Sequence, residues 1–183
     1  SGKARYVRVY MQQPANGQHY ILSEMEVMGK GGLIAQPQSQ LQANGKTYPL
    51  SGGNWMLQRA SAVSANGESI SKAEFTTDDW IVATVPGTVL TSYKNIGAVP
   101  NPNYADNIFQ ISESFFNSNF WYRNEFEVPE GFKQERLFLN FDGINWKANI
   151  YLNGTQLGLM EGAFVRGMYD VTDYIVSGKN VLA

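Results

Sequence analysis

The sequence predicts an all-β fold, a sandwich or barrel, on three observations. Short runs of alternating apolar and polar residues recur through the second half of the chain. Turn signals rich in Gly, Asn and Pro separate them at about ten-residue spacing, the pattern of sandwiches and barrels. Charged residues make up only 16% of the chain against a typical ~25%, while aromatics reach 13% and glycines number 18. Such a composition favours strands and turns over long charged helices.

Arg5–Met11 alternates, with Val7, Val9 and Met11 on one face and Tyr6, Arg8 and Tyr10 on the other, so it reads as a half-buried strand. Asn16-Gly17 is a hairpin turn, Tyr20–Met28 a second strand, and Gly29, Gly31 and Gly32 its end. Two strands cannot bury both faces alone, so this hairpin is expected to lean on another domain. Residues 33–45, rich in Gln, Ser and Pro, read as a linker.

Beyond residue 46 the pattern changes. Trp55–Ala62 and the β-rich run Ile81–Val85 are strand candidates, the latter stopped by Pro86-Gly87. Thr88–Asn95 is a short helix with Thr88 as its cap and Gly97 just past its end. Residues 98–107 form an irregular loop. Phe120–Val128 places Phe120, Tyr122, Phe126 and Val128 on one face, and Arg123, Glu125 and Glu127 on a solvent-facing one. Arg136–Phe141 buries Leu137, Leu139 and Phe141; Lys147–Leu152 buries Ala148, Ile150 and Leu152. Asn153-Gly154 turns the chain into Gln156–Leu159, Phe164–Val171 is a further strand, and Gly178-Lys179-Asn180 turns into Val181–Ala183.

A chain of 183 residues accommodates one domain, or one domain and a fragment. At this size about 70% of the unfolded surface can be buried, so no staple is needed. The absence of cysteine excludes disulfides, zinc–thiolate sites and a cysteine nucleophile, and leaves the compartment open, with a periplasmic or extracellular setting favoured. A net charge of −2 without a basic run lacks the footprint of a nucleic-acid binder. No apolar stretch approaches the ~20 residues of a membrane helix. No nucleotide-binding glycine fingerprint is present, and the expected cofactor is none.

Chemistry-bearing groups are sparse. The single histidine, His19, sits beside a turn without partners for a triad or a metal. Three carboxylate pairs could be considered for glycoside hydrolysis, Asp78/Asp79, Asp170/Asp173 and Glu125/Glu127, but their contexts read as a solvated turn, a cap and a strand face. Asn153-Gly154-Thr155 matches a glycosylation sequon but reads better as a hairpin turn. The loop Val99–Asn107 is more informative. Prolines stiffen it, and Asn103, Asp106 and Asn107 offer amide and carboxylate forks for adjacent hydroxyls beside the ring of Tyr104. The competing reading is that these side chains bond their own backbone.

Several segments then fall in a recognisable order: Trp80 followed by Val85-Pro86-Gly87-Thr88-Val89, Asn101-Pro102 through Asp106-Asn107, Phe120-Trp121-Tyr122-Arg123-Asn124-Glu125-Phe126, Phe141-Asp142-Gly143-Ile144, Ile150-Tyr151-Leu152-Asn153-Gly154, Asp170-Val171-Thr172 and Gly178–Leu182. Together they make residues 80–183 resemble the N-terminal sugar-binding domain of glycoside hydrolase family 2, closest to its exo-β-glucosaminidase and β-mannosidase branch, while residues 46–79 match it only loosely, through Trp55 and the polar run after it. Residues 5–29 resemble the last strands of a discoidin-like carbohydrate-binding domain.

The resemblance implies a galactose-binding-like jelly roll within a retaining exo-β-glycosidase whose two catalytic glutamates lie on a later (β/α)₈ barrel, so this chain is expected to hold no catalytic residue. It implies sugar contacts from Asn103, Asp106 and Asn107, with Asn107 the best single match. Asn101 departs from the family pattern, where Asp is frequent. The expected partners are a β-linked oligosaccharide or glycan terminus and the parent enzyme's catalytic barrel. The expected organisation is a remnant hairpin (1–32), a linker (33–45) and a jelly roll (46–183) truncated in its last strand. A free-standing lectin-like module and a purely structural spacer are the alternative readings.

Overall fold

The computed structural model describes residues 47–52, 54–128, 130–132 and 136–183. The chain divides into two units, Ser1–Ile34 and Ala35–Ala183. The hairpin expected before residue 32, His19 and the linker lie outside the described residues.

Strands dominate the second unit. They are β1 (Trp55–Arg59), β2 (Ile81–Val82), β3 (Phe120–Val128), β4 (Phe138–Phe141), β5 (Lys147–Leu152), β6 (Thr155–Glu161), β7 (Gly167–Asp170) and β8 (Gly178–Leu182). Short helices α1 (Gly67–Ile70), α2 (Val89–Asn95) and α3 (Glu113–Phe116) interrupt them. Six strands form one sheet in the order β2-β1-β3-β8-β5-β6, and β4 pairs with β7 in a second. The pairings are antiparallel. This is an all-β sandwich, as the sequence predicts.

The core lies between the two sheets. From the large sheet come Trp55, Leu57, Phe126, Val128, Ile150, Leu152 and Leu182; Leu137, Leu139, Phe141 and Tyr169 pack against them from the β4–β7 side. The period-two patterns of β3, β4 and β5 therefore assign the inward face as expected. Tyr122 shares this face, and burial pushes its phenol up to about 12 from the ordinary 10.0. A raised acid favours the protonated form in the fold, so its stabilising effect is complete below pH 10.0 and is lost as pH rises toward about 12. An alkaline titration followed by tyrosinate absorbance should show one phenol ionising only together with unfolding. A Tyr122→Phe variant should lack that step.

The outer face of the large sheet is not the solvent-facing surface expected from the sequence. Arg123 is 2% exposed. Its guanidinium donates to the carbonyls of Ile70 (2.8 Å) and Lys72 (3.0 Å), and so clamps α1 and the turn after it over the sheet. Gly67 lies against the ring of Tyr151, where a Cβ would collide. Half-buried Glu125 bridges Arg123 (2.7 Å) and Lys179 (2.8 Å). Its burial alone would raise the carboxyl, but hydrogen bonds from Lys179 and Arg123 hold it below the ordinary 4.5. Glu127 stays exposed.

Several boundaries differ, among them β4, which begins at Phe138 rather than Arg136, and β6, which runs Thr155–Glu161 rather than Gln156–Leu159. Trp55–Ala62 is a strand only to Arg59, after which Ala60–Ala62 forms a 3-10 turn. The run at 81–85 pairs only through Ile81–Val82. Phe164 has φ 64° and stands outside β7, which begins at Gly167. Gly178–Asn180, expected as a turn, is already strand and pairs with Phe126–Val128. The Asn153-Gly154 turn is present, with φ of 49° and 84° at its two residues, as a tight hairpin needs. The Asn153 amide donates to Tyr174 O and Asn180 Oδ1 (both 2.8 Å), which favours the turn reading over a glycan acceptor.

Register places several loops on one rim. Arg59 faces Phe120, Asn124 faces Leu182, Leu152 faces Leu182, and Lys147 faces Glu161. The end of β1, the start of β3, the end of β8, the start of β5 and the end of β6 therefore share one end of the sheet. The loops 142–146 and 162–166 emanate from this rim, and the segment that begins beyond β2 at the opposite end of the sheet reaches it where α3 leads into β3.

Candidate functional site

The loop singled out in the sequence hangs between α2 and α3. Thr88 caps α2 by accepting from Thr91 N at 3.0 Å, as expected. Ser92 Oγ accepts from Thr84 N (3.0 Å), and Asn95 Nδ2 donates to Thr84 Oγ1 (2.8 Å), fastening α2 to the segment beyond β2. At the other end, the Tyr93 ring packs edge-on against Phe115, Phe116 and Phe120. Arg59 lies over Phe115 at 5.0 Å and donates to Ser118 Oγ at 3.1 Å. The loop is thus short-tethered to a rigid aromatic anchor.

Asn101 organises the loop. Its Oδ1 accepts from Asn103 N (3.2 Å), an Asx turn, and its carbonyl accepts from Tyr104 N (3.2 Å) and from Asn107 Nδ2 (3.0 Å). Ala105 adopts φ 44°, and Asn107–Gln110 closes the loop as a 3-10 turn. Asn101, where the resemblance leads one to expect Asp, keeps a short side chain whose oxygen accepts the turn bond.

The three expected contact residues separate into two kinds. Asn103 and Asp106 are exposed, and their side chains make no hydrogen bond among the described residues, so both are available to a ligand. Asn107 is half-buried; its nitrogen braces Asn101, and its Oδ1 faces Gln110 Nε2 at 3.5 Å. For Asn107 the competing reading is therefore correct in part: it bonds its own loop and keeps only an oxygen for anything else. Pattern reading did not single out Ile108 and Phe109, which are 48% and 84% exposed beside Tyr104 at 58%. Two exposed apolar residues in a row within a turn were the available signal.

Two of the three carboxylate pairs have a member already engaged in bonds of the fold. Glu125 is held by two cations. Asp170 accepts from Thr172 N (3.1 Å) and Oγ1 (2.5 Å) and from Arg136 (3.0 Å). Those Thr172 bonds, with Arg136 beside them, hold its carboxyl below the ordinary 3.8. Asp78 and Asp79 lie in a turn. Among the described residues no group of three or more His, Cys, Asp or Glu could hold a metal, and no helix is long and apolar enough to cross a membrane. The loop offers exposed amide, carboxylate and ring groups from a braced turn, which is binding chemistry.

A sequence profile described as the glycosyl hydrolase 2 galactose-binding-like domain matches residues 55–183. The chain belongs to this family. Among the family's members, an exo-β-D-glucosaminidase of Amycolatopsis orientalis is 28% identical over 156 residues, 84% of this chain and 15% of its own length. A mannosylglycoprotein endo-β-mannosidase of Lilium longiflorum is 32% identical over 139 residues, 70% of this chain and 14% of its own. The crystal structure of the A. orientalis exo-chitosanase superposes with a TM-score of 0.64 at 27% identity, over 70% of this chain and 15% of that one. The Dictyoglomus thermophilum β-D-mannosidase gives 0.57 at 26%, over 70% and 14%. This galactose-binding-like chain spans about one seventh of the length of those relatives. The glucosaminidase and mannosidase likeness expected from the segment order is what these comparisons show.

Proposed function

We propose that this chain is the non-catalytic sugar-binding domain of a retaining exo-β-glycosidase, and that its 101–107 loop walls the subsite for the terminal sugar. In this reading the domain packs on the parent enzyme's catalytic barrel, which carries both catalytic carboxylates. The substrate is a β-linked oligosaccharide or glycan terminus. The observation that carries the proposal is the loop itself. Asn103 and Asp106 present unpaired polar side chains from a braced turn, whereas Glu125 and Asp170 are already bonded. The expected division into a discoidin-like remnant (1–32), linker (33–45) and jelly roll (46–183) belongs to the same proposal.

Positioning groups of this type act by fixing the reacting sugar in place. In the full-length enzyme, Asp106→Ala is expected to lower kcat/KM by about 5- to 150-fold, the equivalent of ~1–3 kcal/mol of hydrogen bonding to substrate. Its melting temperature should not change, since Asp106 braces nothing. Asn107→Ala should lower both, because it also removes the brace on Asn101. Unchanged kinetics in both variants would favour the spacer reading. The 183-residue chain alone should not hydrolyse nitrophenyl β-glycosides, and turnover above a blank would contradict the non-catalytic assignment.

A further inference from the structure

The same rim carries a second group of exposed side chains on the loops β4–β5 (142–146) and β6–β7 (162–166). Trp146 is 60% exposed and Phe164 fully so. The loops are tied together: Gly162 N donates to Trp146 O at 2.7 Å, and Val165 folds back onto Gly162, its Cγ2 standing 2.8 Å from where a Cβ would be. Two residues of chain span at most about 7 Å, so Phe164 stays close to Trp146. Asp142 and Arg166 stand between the same loops, 3.9 Å apart and almost wholly exposed, and Asn145 is exposed beside them.

Phe164 is the telling residue. Its φ of 64° lies in the left-handed region, which a bulky side chain adopts only at a cost in backbone energy. Full exposure means that no buried area offsets this cost. Residues held this way cluster at ligand sites, where the surroundings fix them.

We propose that Trp146 and Phe164, with Asp142 and Arg166, form a second saccharide-contacting surface, separate from the 101–107 loop, that holds pyranoside units on the leaving-group side of the same β-linked chain. This rests on the sugar-binding reading of the domain. A pyranose presents an apolar C–H face to an aromatic ring and a ring of hydroxyls to a carboxylate or guanidinium. A docking surface for another protein domain is depleted in charge at its core, whereas this surface includes the exposed Asp142 and Arg166, 3.9 Å apart. The start of β5 lies two strand positions, about 10 Å, from the start of β3, into which the segment carrying the 101–107 loop leads.

The test uses the indole N–H resonances of the chain's four tryptophans. Trp146→Phe assigns the Trp146 signal. Titration with a β-1,4-linked glucosamine tetramer, and separately with a β-1,4-linked mannose tetramer, should shift it with a dissociation constant of about millimolar order. Buried Trp55 should not respond. Phe164→Gly should weaken the response at least about fivefold and melt no lower than the parent, because glycine accepts the left-handed backbone. Asp106→Ala should leave this shift intact, so that loss of the 101–107 subsite and loss of this surface are told apart. No Trp146 shift with either tetramer at about ten times that concentration overturns the proposal. So does an equal response in Phe164→Gly, or a Trp146 signal protected only when the remainder of the full-length protein is present.

Discussion

Arg123→Met should cost this domain about 3–5 kcal/mol, a large share of the 5–15 kcal/mol that holds a typical domain together. Methionine keeps most of the volume but removes the donors to Ile70 O and Lys72 O and the pair with Glu125. The Ile70 carbonyl under the α1 layer then loses its partner, and the Lys72 carbonyl keeps only the Phe75 N–H at 3.3 Å, which is the expensive half of the loss. Urea midpoints and melting curves should both register it, the latter by on the order of 10 °C. Arg123→Lys should recover only part, since an ammonium cannot reproduce the guanidinium fork.

The control is Arg136→Met. Arg136 also pairs with a carboxylate, Asp170 at 3.0 Å, but is 72% exposed. An exposed pair is worth well under 1 kcal/mol, so this variant should stay within about 0.5 kcal/mol of the parent. If both variants lose equally, burial is not what makes Arg123 important. Limited proteolysis adds a spatial readout: in Arg123→Met the first cuts should move into residues 60–80, the layer that Arg123 clamps.

Much of this fold is legible from period and turn chemistry. The limits of β3 and β5, the α2 cap at Thr88 and the Asn153-Gly154 hairpin all follow from local rules. The inward faces of β4 and β5 follow from alternation alone. The outer face of β3 does not. Arg123 and Glu125 alternate as solvent-facing residues should, and only the distant segment 67–80 converts that face into an interior. The candidate loop was visible as a cluster of short amides, but residue type alone could not separate exposed Asn103 and Asp106 from Asn107, because the difference lies in which carbonyl each side chain meets. The second rim surface was hidden for a similar reason. Trp146 lies just before the alternating run of β5, and Phe164 reads as the first residue of the strand that contains β7; neither position reveals that a backbone turn leaves the ring in solvent.

Asn180 shows the same principle in its strongest form, since a residue that reads as part of a turn is fully buried and completely bonded. Its Oδ1 accepts from Asn153 Nδ2 (2.8 Å) and Val176 N (2.9 Å); its Nδ2 donates to Val176 O (2.7 Å) and Gly178 O (2.9 Å). Asn153 answers by accepting from Val181 N at 2.8 Å. The two amides stitch the β5–β6 hairpin to the entry of β8 in the sheet's centre. Asn180→Ala orphans several of these groups and should cost about 3 kcal/mol. Asn180→Asp is the sharper test because it changes no volume. Ionised, it places a carboxylate oxygen against two carbonyl oxygens in a buried site; neutral, it can still donate to one of them. The folded state therefore binds the proton more tightly than the unfolded chain, whose aspartate titrates near 3.9. With more protons bound in the native state, stability must fall as pH rises from about 4 through the folded-state pKa. The stability difference between Asn180→Asp and the parent should thus be smallest near pH 4 and widest near pH 7. Measuring both proteins at each pH removes the parent's own acid sensitivity at Glu125, which acts in the opposite sense: that lowered carboxyl contributes stability above 4.5 and loses it as pH falls. A difference that stays flat with pH would mean that the amide nitrogen of Asn180 is not what holds β8 in place.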